Sequence, residues 1–398
     1  MLKRFRIGDL GDIYTGNTPS KKNMEFYDSE DIMFIKPDML EFNIAKIEKA
    51  NEYISEKARE KARIIPKGSL LVSCIGNIGK LGINNEEVAF NQQINAIVHN
   101  DKIISSKYLA YVIKYNQKKL ESIANTAVVP IINKNQFSEF ELLIHKDLEI
   151  QNKIVDILDK AQQLIDKRKE QIEALDELVK SQFIEMFGSP SNNPKQFDVV
   201  EFNKIIEYIG DIGSNGANSV ISANLKMTDT EDYALMVRTT NFTTNDFKNN
   251  VKYVSKEVYD FFKKSKIYGG ELIFNKIGSA GINFVMPNLN RPVSLGLNQI
   301  MVRTNNKVNM VYLHNLLNTD YGIHQINRRV QGAVTKSITK GAIKEIPIML
   351  PQIELQNQFA DFVKQVDKLK FEMEKSLKEL EDNFNSLMQK AFNGELFS

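Results

Sequence analysis

The chain repeats itself, and the repeat sets what it can fold into. Leu148-Glu149-Ile150-Gln151-Asn152-Lys153-Ile154 returns as Ile353-Glu354-Leu355-Gln356-Asn357-Gln358-Phe359, and the offset of 205 continues without a gap through Asp156/Asp361, Leu164/Leu369, Leu175/Leu380, Ser181/Ser386 and Phe187/Phe392. Upstream the match is looser: Gly68-Ser69-Leu70-Leu71-Val72 with Gly270-Glu271-Leu272-Ile273-Phe274, and Ile75-Gly76-Asn77-Ile78-Gly79 with Ile277-Gly278-Ser279-Ala280-Gly281. At an offset of 206, Gln93-Ile94 pairs with Gln299-Ile300, Ala127-Val128 with Ala333-Val334, and Lys134 with Lys340. A tandem duplication follows: a lobe at 1–147, a helix at 148–188, a second lobe at 189–352 and a second helix at 353–398. The 398 residues also exceed the roughly 250–300 at which one hydrophobic core stops growing, so at least two domains are expected.

Residues 148–187 have helical periodicity. Leu158, Ile165, Ile172, Val179 and Met186 recur every seven residues, flanked by Ile154, Ala161 and Leu175 on one side and Ile157, Leu164 and Leu178 on the other. Gly188 is the expected C-terminal stop, with Pro190 and Pro194 beyond it. Phe359, Val363, Val366, Leu369, Met373, Leu377, Leu380, Phe384 and Leu387 draw the same stripe in the second copy, which ends at Asn393-Gly394. Such helices run to roughly 55 Å at about 1.5 Å per residue, too long to be buried in one small lobe. Either each stripe lies along its neighbouring lobe, or the two pack on each other. Their equal lengths favour an antiparallel coiled-coil-like pair, with a lobe expected at either end.

Within the lobes, Ser69–Ile75 and Glu271–Ile277 read as short strands entered and left through glycines, and Asn95–Val98 and Gln299–Val302 as further strands. Helical stretches follow near Ser106 to Ala124 and Met310 to Ile326. The expected fold class is α+β, two similar lobes in tandem, each followed by a long helix.

Net charge is only +2, but it is segregated: +2 in 1–147, −3 in 148–188, +6 in 189–352 and −3 in 353–398. That distribution lets the lobes face a polyanion and the helices face protein. No run approaches 18 apolar residues and the first nine residues have no apolar signal core, so neither membrane spanning nor export is expected. The single cysteine, Cys74, cannot form an internal disulfide, in keeping with a reducing, cytoplasmic location.

Chemistry-bearing motifs are missing. Gly76-Asn77-Ile78-Gly79-Lys80 lacks the first glycine and the hydroxyl of a phosphate-binding loop, and no Pro-Pro occurs for an adenine-methyltransferase loop. Pro37-Asp38 has no Asp/Glu-x-Lys after it in its lobe and reads as a turn. His99, His145, His314 and His324 are scattered singly, and Cys74 has Lys276 at its repeat position, so neither a metal cluster nor a shared nucleophile is expected. Polar and basic loops remain. Asn91, Gln92 and Gln93 match Asn298 and Gln299, and such amides either hydrogen-bond adenine edges or satisfy loop backbone. Lys134 in one lobe and Arg328, Arg329, Lys336 and Lys340 in the other, with Lys36 and Arg238 coinciding across the repeat, either form a solvated face or contact phosphates. The glycine-bearing loops add Asn77 and Lys80, and Lys276 and Ser279.

In this order, twice over, these features resemble the specificity subunit of a Type I restriction-modification enzyme. The resemblance spans essentially the whole chain. It rests on the run Ile346-Pro347-Ile348-Met349-Leu350-Pro351-Gln352-Ile353-Glu354-Leu355-Gln356 that opens the second helix, its proline-free counterpart Phe140–Gln151, the Asn-Gln-Gln element, and the C-terminal Ala391-Phe392-Asn393-Gly394-Glu395-Leu396. It implies two target-recognition domains reading a bipartite double-stranded DNA site with an unspecified spacer set by the helix pair. The sixteen loop residues named above become its DNA-contact candidates. It further implies no cofactor on this chain: S-adenosylmethionine would belong to two modification subunits that methylate adenine, and ATP and Mg to restriction and motor subunits. Two other classes stand beside it, a helical scaffold without sequence-specific DNA binding and a stand-alone DNA-modifying enzyme.

Overall fold

The computed structural model describes residues 2–125 and 128–397; Ala127, one half of a repeat pair, lies outside the described residues. The chain divides into two compact units, residues 1–170 with 374–398, and residues 171–373.

In the first unit, Leu2–Arg6 pairs antiparallel with Glu141–His145, closing the lobe where the first helix leaves it. A five-stranded sheet runs in the order Gly11–Thr15, Ile94–His99, Leu70–Ser73, Leu81–Asn84, Ile44–Ile47, and a four-stranded one in the order Tyr53–Ile54, Ile32–Ile35, Val88–Phe90, Ile64–Ile65. Successive side chains of a strand point to opposite faces. Leu70 and Val72 therefore join Ile97, Tyr108 and the long helices' Leu158 in one core, while Leu71 joins Ala96 and Phe90 in another against the second sheet. Both faces are covered, so Leu70–Ser73 is buried throughout, which is why the sequence shows an unbroken apolar run there instead of alternation.

The second unit repeats the plan. Asp198–Glu201 pairs with Pro347–Leu350, and two four-stranded sheets run in the orders Ile206–Asp211, Gln299–Thr304, Leu272–Asn275, Asn283–Val285 and Lys252–Val254, Ala234–Val237, Val293–Leu295, Lys266–Ile267. The sheet that corresponds to the five-stranded one ends at Asn283–Val285, without a counterpart to Ile44–Ile47. The ladders also correct the repeat alignment. Ser73 pairs with Ile94 and Asn275 with Gln299, so the structural counterpart of Ile94 is Gln299, not Ile300. The loop before this strand is one residue out of step with the matching dipeptides, and a one-residue slip exchanges the two faces of a strand.

The helical stretches after these strands each break in two, into Ser106–Tyr115 with Gln117–Ser122, and Met310–Leu317 with Asp320–Asn327. The long helices are Leu148–Phe187 and Ile353–Phe392, 40 residues each. In the first unit Lys169 meets Glu381 at 3.3 Å, and Phe384, Met388 and Phe392 share a core with Leu158 and Ile165. In the second, Asp176 meets Lys370 at 2.6 Å, and Phe183 and Phe187 pack on Phe359. Numbers rise along one helix as they fall along the other, so the pair is antiparallel, as expected from the stripes. The stripe is narrower than the apolar pattern: Leu164, Leu178 and Leu369 are exposed, because a two-helix seam covers only the central positions and leaves its flanks in solvent. Gly188 ends the first helix with φ +75°, and a Cβ there would lie 2.4 Å from Pro194, so the turn requires glycine.

At each helix start a buried glutamine ties helix to lobe. Gln356 donates to the carbonyls of Pro351 (2.7 Å) and Lys307 (3.2 Å) and accepts from the Asn309 amide (2.8 Å). Gln151 donates to those of His145 (2.7 Å) and Ile103 (2.9 Å). The Glu-x-Gln motif thus satisfies backbone groups that the sharp turn from strand into helix would otherwise leave buried and unpaired.

Candidate nucleic-acid interface

Backbone hydrogen bonds gather loops that are far apart in sequence. In the first lobe the Cys74 amide donates to the Gln93 carbonyl (2.9 Å), the Ile132 amide to Cys74 (2.9 Å) and the Gly76 amide to Pro130 (2.9 Å). The loop bearing Asn77 and Lys80 therefore lies between the one bearing Asn91, Gln92 and Gln93 and the one leading to Lys134. The Asn91 amide, bonded to the Ile35 carbonyl at 3.1 Å, brings in Lys36. The second lobe uses the same bonds: Lys276 amide to Asn298 carbonyl (2.7 Å), Ile338 amide to Lys276 (3.0 Å) and Gly278 amide to Lys336 (3.0 Å). Candidates chosen separately along the sequence thus fall together at corresponding places.

Their side chains divide by environment. Asn77, Lys134, Ser279, Asn298, Arg328 and Lys336 are exposed, and among the described residues Lys134, Arg328 and Lys336 carry no ion pair. Gln92, also exposed, accepts from the Thr18 hydroxyl at 2.9 Å, and Lys80 lies over the Phe42 ring at 5.7 Å. Asn91 is buried and donates to Gln93 at 3.0 Å, while Gln299 is buried and accepts from the Gly296 amide at 3.2 Å, so both amides hold their own loops. Lys36 is paired with Glu52. Arg329 donates to the Gln325 and Glu345 carbonyls at 2.9 and 2.8 Å. Arg238 donates to the Asn250 carbonyl, its Nε is buried without a hydrogen-bond partner, and it lines a cavity of about 260 Å³ with Thr240, Asn298 and Gln299.

Lys276 and Lys340 converge on Asp211, at 2.7 and 2.9 Å, and Lys340 also reaches the Ser214 hydroxyl at 3.0 Å. Burial alone would raise the Asp211 pKa, but the hydrogen bonds and charges of Lys276 and Lys340 outweigh it and hold the carboxyl down at about 2. In the first lobe the corresponding ladder position is Thr15, which donates to Asn95 at 2.6 Å, beside Cys74 where the second lobe has Lys276. Burial there pushes the Cys74 thiol up to about 12, against hydrogen bonding from Asn95. One lobe thus joins its loops through neutral groups and the other through an ionic cluster. Sequence reading missed Asp211; an acid ending a strand of one copy, where the other has a hydroxyl, was the available signal.

A carboxyl whose pKa is lower folded than unfolded stabilises the fold above the unfolded value, and this stability is lost as pH falls through the folded one. At pH 6, Asp211→Asn is expected to cost about 2 kcal/mol. The gap should close as pH falls from about 4 to about 2. Denaturant unfolding of both proteins across that range checks it; a gap independent of pH would remove the ionic cluster from the account.

The family model for the Type I restriction modification DNA specificity domain matches this chain twice, over residues 2–175 and 206–382. The chain belongs to that family. Among curated specificity subunits of Type I restriction enzymes, MjaIX of Methanocaldococcus jannaschii is 31% identical over 189 residues, covering 45% of this chain and 43% of that one. HindI of Haemophilus influenzae is 33% identical over 163 residues, covering 39% and 35%. Each of these alignments spans less than half of the relative. MjaVIII of M. jannaschii aligns over 85% of this chain and 82% of its own length at 20% identity. The fold is that of the Type I S subunit from M. genitalium (TM-score 0.53, 14% identity, 98% and 96% coverage). It is shared with a chain from a structure describing assembly and conformational transition of the type I R-M system (TM-score 0.63, 14% identity, 99% and 98% coverage). In this specificity-domain chain each family match begins within a lobe and ends within a long helix, so lobe and helix are one repeating element. No helix among the described residues is long and apolar enough to cross a membrane.

Proposed function

We propose that the chain is the sequence-reading, non-catalytic subunit of a Type I restriction-modification enzyme. Each lobe reads one half of a bipartite duplex target, and partner subunits perform the chemistry. Two modification subunits carrying S-adenosylmethionine methylate adenine within the site, and restriction subunits use ATP and Mg to cut DNA. The observation that carries this reading is the repeated convergence of polar and basic loops at corresponding places in two lobes of a DNA specificity family. Exposed Lys134, Arg328 and Lys336 suit phosphates, and exposed Asn77, Gln92 and Asn298 suit base edges. Two modules on one chain gain affinity through effective concentration, so each half-site contact can be weak.

The purified chain is expected to transfer no methyl groups, cut no DNA and hydrolyse no ATP. Co-expressed with its modification subunits, it should direct methylation to one bipartite sequence, with an affinity that falls steeply with salt. Tritiated-methyl transfer and methylated-base sequencing measure both. Methyl transfer by the chain alone would overturn the division of labour, and salt-independent binding would point to a scaffold.

A further inference from the structure

Among the described residues, the most exposed large apolar side chain of each lobe stands at the same place in the repeat. In the second lobe a loop is closed by paired backbone bonds between Gln331 and Ser337 (2.9 and 2.8 Å) and fastened to the glycine-bearing loop through Gly278 and Lys336 (3.0 Å). Gly332 turns it with φ +104°, where a Cβ would lie 2.2 Å from the Thr335 carbonyl oxygen. Val334, within it, is 98% exposed. The first lobe has the same fastenings around residues of which Thr126 and Ala127 lie outside the described ones: Asn125 and Ile131 are joined by paired backbone bonds (3.0 and 3.2 Å), the Gly76 amide donates to the Pro130 carbonyl (2.9 Å), and Val128 is 94% exposed.

A single exposed apolar residue is ordinary. Two at the same place in two lobes are not, given how far the surroundings have changed: the strand Ile44–Ile47 is present in only one sheet, and Cys74 has become Lys276. The Ala-Val pair and the closing bonds recur although the other residues of the two loops differ, and neither valine packs on the core. Cations that carry no ion pair among the described residues stand close by in sequence, Lys134 six residues after Val128, and Lys336 and Arg328 on either side of Val334. An apolar point beside cations fits duplex DNA, whose phosphates flank a major groove about 12 Å wide in which thymine alone presents a methyl group.

We propose that Val128 and Val334 are specificity-determining residues, each meeting the 5-methyl group of a thymine in the half-site its lobe reads. The proposal rests on the DNA-reading function above and names one chemical feature that each lobe recognises.

The test uses the chain assembled with its modification subunits on its mapped target, with each thymine replaced in turn by deoxyuridine, which lacks only that methyl. In each half-site one replacement should weaken binding about fourfold, the worth of one buried methyl. Val334→Ala should lose about the same affinity and become indifferent to the replacement in one half-site, and Val128→Ala likewise in the other. Both positions are solvent-exposed, so unchanged thermal melting is expected to accompany these effects. Methyl sensitivity that persists in the alanine variants, or a half-site without a sensitive thymine, overturns the proposal. So does a Val334→Asp chain that no longer assembles with the modification subunits while DNA choice is kept, since the loop would then be a protein contact. A wild-type complex that shows no sequence preference would instead defeat the DNA-reading function itself.

Discussion

Replacing residues 171–373 with the corresponding unit of a relative that has a different target is expected to change one half of the methylated sequence and leave the other in place. The second unit carries its own core, in which Phe183 and Phe187 from the first helix and Phe359 from the second pack with Tyr312 of the lobe. The Asp176–Lys370 pair also lies inside this unit, so the graft takes both sides of its helix seam. The junctions suggested by sequence, at 189 and 352, cut between the lobe and these aromatics. A graft of 189–352 alone should therefore fold less stably, although its reading loops are the same. Methylome sequencing of cells carrying each graft with the native modification subunits gives the outcome. A change in both halves, or in neither, would remove the assignment of one lobe to one half-site.

Phe187→Ala should destabilise the second unit by about 3–5 kcal/mol, the usual cost of deleting a buried aromatic ring. Phe187 is fully buried, with ring centroids 4.7 Å from Tyr312, 5.5 Å from Phe359 and 6.4 Å from Phe197. Removing it opens a cavity where both long helices meet the lobe. Phe371→Ala is the matched control: Phe371 is 65% exposed on the second helix, and its loss should change stability by under about 0.5 kcal/mol. Denaturant unfolding monitored by tyrosine fluorescence and circular dichroism separates them. Equal effects would mean that the aromatic cluster does not hold the helices to the lobe.

The long helices, their ends and their antiparallel pairing were legible in the sequence, because periodicity, a glycine stop and equal length are local properties that a repeat states twice. The central strands were legible for the same reason, as apolar runs between glycines. The second sheet of each lobe was not. Its strands are two to four residues long, Tyr53–Ile54 and Lys266–Ile267 being two, and are held by partners in other parts of the lobe, so no short window of sequence contains their pairing.

The candidate contact residues follow the same division. Residue type and repeat position named Asn91, Gln299, Lys276 and Lys340 as groups able to bind DNA, because hydrogen-bonding capacity and charge belong to the side chain wherever it sits. Burial and partners belong to the fold. The tertiary structure turned Asn91 and Gln299 inward onto their own loops and set Lys276 and Lys340 on Asp211, 65 and 129 residues away. It left Lys134, Arg328 and Lys336 in solvent, together with Val128 and Val334, which lie within six residues of them in sequence. Sequence alone determined that two similar lobes alternate with two long helices and which chemical groups their loops carry. Which of those groups face outward was decided by long-range strand register and by one buried carboxylate, since a one-residue shift in a ladder or a single ion pair redirects a side chain without altering the local pattern.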